Sequence, residues 1–451
     1  MKKLVQVPIL CTFLLICSGI FAQGFVQATL TNANQSVTLA ENQVLEIRLP
    51  ATPSTGFGWY LKENANSRLI RQVEQAGFES DNRENLEGIS GDQIIRYIPT
   101  GAGICNLELE YRRPWERVDQ ILSTYNLQVN CEGSYTGNYV PVQLDNTAIE
   151  APTTSRGLPT AFTWAPQSTV AKNQGSCGSC WSFATSGVFE AVINIWDKNV
   201  RDLSEQWLVN CDKSSSGCNG GTYAYKMFVN NGAVYEADLT YKAKDGTCAS
   251  TYTYHEKAKS YGTVSNDVTK MKQALYDYGP MYVSICAGSN LQNYKSGVIS
   301  KTDGTQTNHG VVLTGWNDTD GCWIIKNSWG STWGEKGYFR IKYGLSAEGT
   351  KVAYVNYKGI IPHTTTGIDA NQFSEILVFP NPSNEGQFNI TGLTNSNKIE
   401  VVDILGKVVY VQTTRDANHK VDISSLNQGV YFYRVTNLQS NEVAQGKLIF
   451  N

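Results

Sequence analysis

This 451-residue chain is poor in net charge, in histidine and in long apolar runs, and each scarcity removes a class of function. Its 37 basic and 40 acidic side chains leave a net charge of -3, which is no electrostatic footprint for nucleic acid. Only four histidines occur, and the one Cys-x-x-Cys, Cys177 to Cys180, has no second copy to complete a zinc site. A thioredoxin-like role for that pair lacks the surrounding βαβ pattern. No metal or cofactor is expected. The single long apolar run, Leu4 to Ile20, follows Met1-Lys2-Lys3 and ends in Phe21-Ala22-Gln23, the layout of a secretory signal over residues 1–22. It is short for a membrane anchor and no stop-transfer flank follows, so the mature chain reads as exported, without a transmembrane anchor.

Eleven cysteines are present, and the two in the signal, Cys11 and Cys17, leave an odd number for an oxidising compartment. The segments Ile104–Tyr111 and Tyr125–Cys131 alternate apolar and polar, as half-buried strands do. Paired as a hairpin with 111 opposite 125, they set Cys105 opposite Cys131, which makes that pair a candidate disulfide. Cys177, Cys180, Cys211, Cys218, Cys248, Cys286 and Cys322 remain, so one of them is a free thiol.

Composition divides the chain into three domains. Residues 23–144 carry short alternating runs without a convincing helix and read as a small β-sandwich. Residues 145–157 have linker composition and should be open to proteases. From 158 to 358 helical spacing alternates with apolar strands, an α+β pattern. A second linker, 359–372, leads to a tail at 373–451 whose short β runs read as a second small β-sandwich.

The central domain holds the chemistry. In Gln174-Gly-Ser-Cys-Gly-Ser-Cys-Trp-Ser-Phe-Ala184 a glycine-serine turn runs into apolar residues at helical spacing, so Cys180 falls in a first helical turn, where the dipole favours thiolate. A nucleophilic thiol needs a base. His363 lies in a linker, His419 in the tail and His255 in a polar stretch, whereas His309 opens the apolar strand Gly310–Trp316. The next apolar strand ends in Asn327-Ser-Trp329, an amide able to orient an imidazole and an aromatic to keep water off that bond.

Taken together, residues 158–358 resemble a papain-family cysteine peptidase. Lys172–Ala184, Gly217-Cys-Asn-Gly-Gly221, Asn308-His-Gly310 and Lys326-Asn-Ser-Trp-Gly-Ser-Thr-Trp-Gly334 carry the likeness. So do the separations of 129 residues from Cys180 to His309 and 147 to Asn327. The resemblance implies a two-lobed α+β fold with Cys180 as nucleophile, His309 as general acid and base, Asn327 as its orienting residue and Gln174 in the oxyanion hole. It implies substrate backbone at Gly220 and Gly221, with Trp329 and Tyr223 lining the cleft, and protein or peptide substrates. Its disulfide positions imply Cys177 with Cys218 and Cys211 with Cys248. Parity and neighbouring strands add Cys286 with Cys322.

A papain-like zymogen usually carries a helical prosegment, which residues 23–144 do not supply. Thr52-Pro53-Ser54-Thr55-Gly56-Phe57-Gly58-Trp59 and Arg112-Arg113-Pro114-Trp115 instead resemble two loops of chagasin-like inhibitors, immunoglobulin-like sandwiches that wedge into papain-like clefts. Gly88-Ile-Ser-Gly-Asp92 loosely resembles the third. The expectation is a fused inhibitor that silences its own peptidase and is released by a cut in 145–157, for example after Arg156. Inhibition of other peptidases in trans and an adhesive module are the alternatives. The tail, with Val378-Phe-Pro-Asn-Pro382, Asp403-Ile-Leu-Gly-Lys407, Gly429–Arg434 and Gly446-Lys-Leu-Ile-Phe450, resembles the sorting domains of type IX secretion cargo, which implies the export machinery as a partner. A carbohydrate-binding module is its rival.

Overall fold

A computed structural model describes residues 24–63, 65, 67–80, 86–117, 120–141, 158–346, 351–362, 376–393, 395–404, 406–439 and 443–451. The signal segment, the linker 145–157 with Arg156, and His363 lie outside these residues. The N-terminal sandwich and the peptidase domain together form one compact unit, and the tail forms another.

In the sandwich, one sheet runs Phe25–Ala28, Val44–Ala51, Gly91–Pro99 and Ile70–Gln72, with Gly77–Glu79 also paired to Gly91–Pro99. The other runs Ser36–Leu39, Ser123–Cys131, Gly103–Arg112 and Gly58–Leu61. Period-two alternation turns Leu45, Ile47 and Leu49 from the first sheet onto Leu107, Leu109, Leu127 and Val129 of the second. The hairpin register differs from the sequence expectation. Tyr111 stands opposite Ser123, and Cys105 faces Val129 while Cys131 faces Gly103. A slip of two residues keeps every apolar side chain on the buried face, so burial pattern alone does not choose between the registers. Cys105 and Cys131 are consequently diagonal neighbours, both free and buried.

The first α-helix of the peptidase domain is Cys180–Asp197. Its Trp181, Val188, Phe189 and Val192 pack on Trp207, Leu208 and Phe228 of the following helices and on Tyr282 and Val312 of the sheet. Burial of each such side chain stabilises by roughly 1.5–3 kcal/mol. Ser204 caps Glu205–Cys211 by accepting from Trp207 N at 3.1 Å, as its position before Glu205 suggests. The sheet runs Ser260–Val264, Val352–Asn356, Met281–Ile285, His309–Asn317, Cys322–Lys326, Tyr338–Lys342 and Val298–Ile299, with Ala161–Thr163 also paired to His309–Asn317. Disulfides join Cys177 to Cys218 and Cys211 to Cys248. Cys286 and Cys322 are not joined. Cys286 follows Ile285, which pairs with His309 at one end of the central strand, and Cys322 pairs with Asn317 at the other. Eight residues of strand, roughly 27 Å at about 3.4 Å each, separate them, far beyond disulfide reach. The two strands share a sheet but flank the central strand on opposite sides, so they are not neighbours, and the two cysteines lie toward its opposite ends.

The tail is a second small sandwich, with Leu377–Phe379, Gln387–Thr391 and Asn418–Asp422 in one sheet. Val408–Thr414, Asn397–Val402, Gly429–Asn437 and Val443–Phe450 form the other, and Phe388, Ile399, Val401, Val435 and Leu448 fill the core between them.

Candidate active site

The turn before the first peptidase helix is held from both sides. Cys177 is bonded to Cys218, and Gly178 N donates to Cys218 O at 2.9 Å, so the chain enters the helix at Cys180 in a fixed direction. The central strand delivers His309 to the same place: Gly310 N lies 3.4 Å from Cys180 Sγ. The next strand ends at Asn327, whose Oδ1 sits 2.8 Å from His309 Nε2. An amide oxygen only accepts, so Nε2 carries the proton of that bond and Nδ1, which has no hydrogen-bond partner, is the other basic position. Trp329 stacks on the imidazole at 5.2 Å between ring centres. Gln174 is buried nearby: its Nε2 donates to Cys177 O at 3.0 Å and its Oε1 accepts from Ser328 Oγ at 2.7 Å. His255, by contrast, stacks on Tyr235 and bonds Asp238 at 2.7 Å.

Three loops of the sandwich close over this group. In Pro53–Thr55, Ser54 O accepts from Trp329 Nε1 at 2.7 Å, and Phe57 O accepts from Gln292 Nε2 at 3.1 Å. Gly56 has φ +79°, and a Cβ there would meet the Trp115 ring at 2.4 Å. In the second loop Arg113 is almost completely buried; its guanidinium donates to Thr55 O, to Glu116, to Asn173 Oδ1 at 3.0 Å and to Gly175 O at 3.0 Å. Pro114 precedes Trp115, whose ring stacks on Trp329 at 5.3 Å and meets Trp333 edge-on at 6.1 Å. Asn173, Gly175, Gln292, Trp329 and Trp333 all belong to the peptidase domain.

The third loop, whose sequence Gly88–Asp92 only loosely resembles its inhibitor counterpart, pairs with the cleft wall as an added strand would. Glu87 N donates to Gly221 O at 2.8 Å and Gly221 N to Glu87 O at 2.9 Å, an antiparallel pair. Gly88 N then donates to Asn308 O at 2.7 Å, one residue from His309. Gly220, at φ +109°, and Gly221 keep this wall free of side chains, and a Cβ on Gly221 would meet Trp181 at 2.5 Å. The Glu87 carboxylate is fully buried, accepts from Tyr282 Oη at 2.9 Å and lies 3.1 Å from Lys351 Nζ. Tyr223 stands beside it, 5.7 Å from the Tyr282 ring. No local pattern announces Glu87, because its partners are 195 and 264 residues away in sequence.

With the loops in place, burial pushes the Cys180 thiol up to about 12, offset only in part by the Gly310 N–H. Burial pushes the His309 imidazole down to about 4, against the bond to Asn327. Both ionisations therefore favour the neutral forms.

Comparison with known proteins follows the same three parts. Residues 158–357 match the description "Papain family cysteine protease", residues 38–129 "Chagasin family peptidase inhibitor I42" and residues 377–451 "Secretion system C-terminal sorting domain". A viral cathepsin of Antheraea pernyi nuclear polyhedrosis virus is 38% identical over 231 residues, which cover 48% of this chain and 70% of that protein. The probable cysteine protease RD21B of Arabidopsis thaliana is 42% identical over 205 residues, 42% of this chain; the match spans 43% of that protein's own length. Among solved structures, the Carica candamarcensis cysteine protease CMS1MS2 in complex with E-64 is 30% identical. It covers 44% of this chain and 99% of its own, at a TM-score of 0.42.

Proposed function

Since the chain belongs to the papain family of cysteine proteases, with a chagasin-family domain before the peptidase and a secretion-system sorting domain after it, we propose that it is an exported peptidase silenced by its own N-terminal sandwich. The observation that carries the peptidase reading is the chain of contacts from the Cys180 thiol through the His309–Gly310 corner to Asn327. In the open enzyme the Cys180 thiolate attacks a peptide carbonyl. Protonated His309 gives its proton to the leaving amine, and water hydrolyses the thioester, returning the thiol and releasing the new carboxylate. Asn327 holds the imidazole through Nε2. Gln174 and the Cys180 N–H stabilise the oxyanion, a donor of this kind being worth about 2.7–4 kcal/mol. Gly220 and Gly221 receive the extended substrate backbone, and Trp329 and Tyr223 border it.

Autoinhibition draws its support from occupancy. Ser54, Arg113, Trp115 and Glu87 use groups of the cleft that a substrate would need. Tethering holds such loops at an effective concentration of about millimolar, so modest affinity suffices. Cutting within 145–157 would break the tether. The test is labelling with an epoxide thiol reagent, together with hydrolysis of a fluorogenic peptide, before and after limited proteolysis, with Cys180→Ala as control. Labelling and turnover should appear on nicking. Equal turnover by intact and nicked protein would rule out self-inhibition.

A further inference from the structure

Ser179 occupies the N-cap of the helix that begins at Cys180, yet its hydroxyl makes no capping bond. A serine there ordinarily accepts from a backbone N–H of the first turn. Its carbonyl serves the helix, accepting from Ser182 N at 2.9 Å, while its Oγ meets Tyr241 Oη at 2.6 Å. The tyrosine also reaches the far side of the turn, where Tyr241 Oη lies 2.8 Å from Gln174 O. A carbonyl oxygen only accepts, so the single phenolic proton goes to Gln174 and the Ser179 hydroxyl donates to the phenolic oxygen. One oxygen atom therefore ties Gln174 to Ser179, the two segments that bring the Gln174 amide and the Cys180 N–H beside the thiol.

Three other bonds hold Gln174. Its N donates to Ser328 O at 2.9 Å, its Oε1 accepts from Ser328 Oγ at 2.7 Å and its Nε2 donates to Cys177 O at 3.0 Å. Nε2 carries a second hydrogen, the one available to a substrate oxygen. None of these three bonds involves the residue next to Cys180. Tyr241 supplies that link, and it is itself firmly placed. Its N donates to Glu236 Oε1 at 2.8 Å, Lys242 N donates to Gln206 Oε1 at 2.8 Å, and the Tyr241 ring stands edge-on to Phe183 with 4.8 Å between centres. Burial pushes the phenol above its ordinary range, so the proton that reaches Gln174 is kept at neutral pH and below.

Resting on the peptidase reading above, we propose that Tyr241 is a positioning residue for the oxyanion hole. Its hydroxyl, bridging Gln174 O and Ser179 Oγ, sets the spacing between the two donors that receive the substrate carbonyl oxygen as it becomes an oxyanion. Such donors act only when aimed at the place where charge develops. A misplacement of about 1 Å costs on the order of a hundredfold in rate. Attack by sulfur at a saturated carbon does not use this spacing, so the thiol's own reactivity is the internal control.

The experiment uses full-length protein nicked within 145–157, with the intact chain beside it, and assays whichever form turns over. Tyr241→Phe keeps the ring on Phe183 and deletes the bridging oxygen. For a fluorogenic peptide, kcat should fall roughly tenfold or more while KM changes by less than about twofold, because the lost stabilisation belongs to the transition state. A peptide aldehyde is the second probe. The Cys180 sulfur bonds the aldehyde carbon, the C=O π bond opens and its oxygen takes the thiol proton, so the hemithioacetal oxygen lies where the oxyanion would. Its inhibition constant should rise by about the factor by which kcat falls. Iodoacetamide is the third probe: sulfur displaces iodide and no oxyanion forms, so alkylation of Cys180 should stay within about twofold of the wild-type rate. Ser179→Ala removes the other half of the bridge, should show the same pattern, and decides alone if Tyr241→Phe does not fold. Gln174→Ala combined with Tyr241→Phe should cost less than the product of the two single losses, since both act through one set of donors.

A kcat for Tyr241→Phe, or failing that for Ser179→Ala, within about twofold of wild type overturns the proposal. So does an alkylation rate that falls as far as kcat, which marks general damage to the site, and so does a fully multiplicative double variant. The two readings separate on the wild-type protein. Turnover that is indifferent to Tyr241→Phe sinks the bridge alone, whereas absence of both turnover and Cys180 alkylation in either form sinks the peptidase reading with it.

Discussion

Under the three loops, Cys180 and His309 both lose their water, and their ionisations move apart: the thiol up to about 12 and the imidazole down to about 4, each chiefly through burial. A neutral thiol beside a neutral imidazole is a poor nucleophile, so in the self-inhibition proposed above the loops would act on reactivity as well as on access. Removing them returns water, which lowers the thiol pKa and raises that of the imidazole, the direction needed for a thiolate–imidazolium pair. The expected outcome concerns the rate of iodoacetamide alkylation at Cys180, read by peptide mass mapping across pH 5–9. The intact chain should react slowly throughout this range because thiolate grows only toward pH 12, and the nicked chain should react readily at neutral pH. Equal rates at neutral pH would mean that burial does not control the thiol. Arg113 shows the same cost of burial with compensation. Desolvation pushes its guanidinium down, Glu116 offsets this, and the Thr55 and Gly175 carbonyls and the Asn173 amide oxygen also accept from it.

The three sandwich loops differ in how they reach the cleft. Pro53–Thr55 brings the Ser54 carbonyl, the Arg113–Trp115 tip a fixed guanidinium and a rigid aromatic, and Leu86–Ser90 the backbone of Glu87 and Gly88 together with the Glu87 carboxylate. Gly88 is needed twice, for its φ of +92° and for its approach to Gly178 O. Gly88→Ala should therefore undock this loop and raise peptide hydrolysis by the intact chain by roughly tenfold, the equivalent of about 1.4 kcal/mol. Gly101→Ala is the matched control, since a Cβ there meets only Leu69 at 3.4 Å, an ordinary contact. If both variants stay as silent as wild type, the Gly88 approach does not hold the loop.

At the scale of the whole molecule, sandwich and peptidase fold into one unit while the tail has its own core of Phe388, Ile399, Val401, Val435 and Leu448. The tail's match to a secretion-system sorting domain supports secretion or display at the cell surface. A chain lacking residues 377–451 should keep epoxide labelling of Cys180 after nicking and yet accumulate in the periplasm. Immunoblots of periplasmic and extracellular fractions would decide it, and export of the truncated chain at normal levels would remove the sorting role.

Local pattern was enough for the parts of this protein that are local. A glycine-serine turn before helical spacing marked Cys180, an apolar strand marked His309, the Asn-Ser-Trp segment marked Asn327 and Trp329, and alternation marked both sandwiches. These signals survive in one dimension because turn chemistry and period-two or helical burial are properties of neighbouring residues. Where two distant segments had to be aligned, the sequence was silent or misleading. The Cys105–Cys131 hairpin could slide by two residues without exposing an apolar side chain, and Cys286 and Cys322 sit on strands of one sheet but at opposite ends of the strand between them. Glu87 is the sharpest case. Its burial, its pairing with Gly221 and its ion pair with Lys351 exist only once three distant parts of the chain share one cleft. A lone acidic residue in a loop carries no sign of the partner that will neutralise it, because the energy of that pairing depends on distance and exclusion of water, and only the tertiary fold determines these.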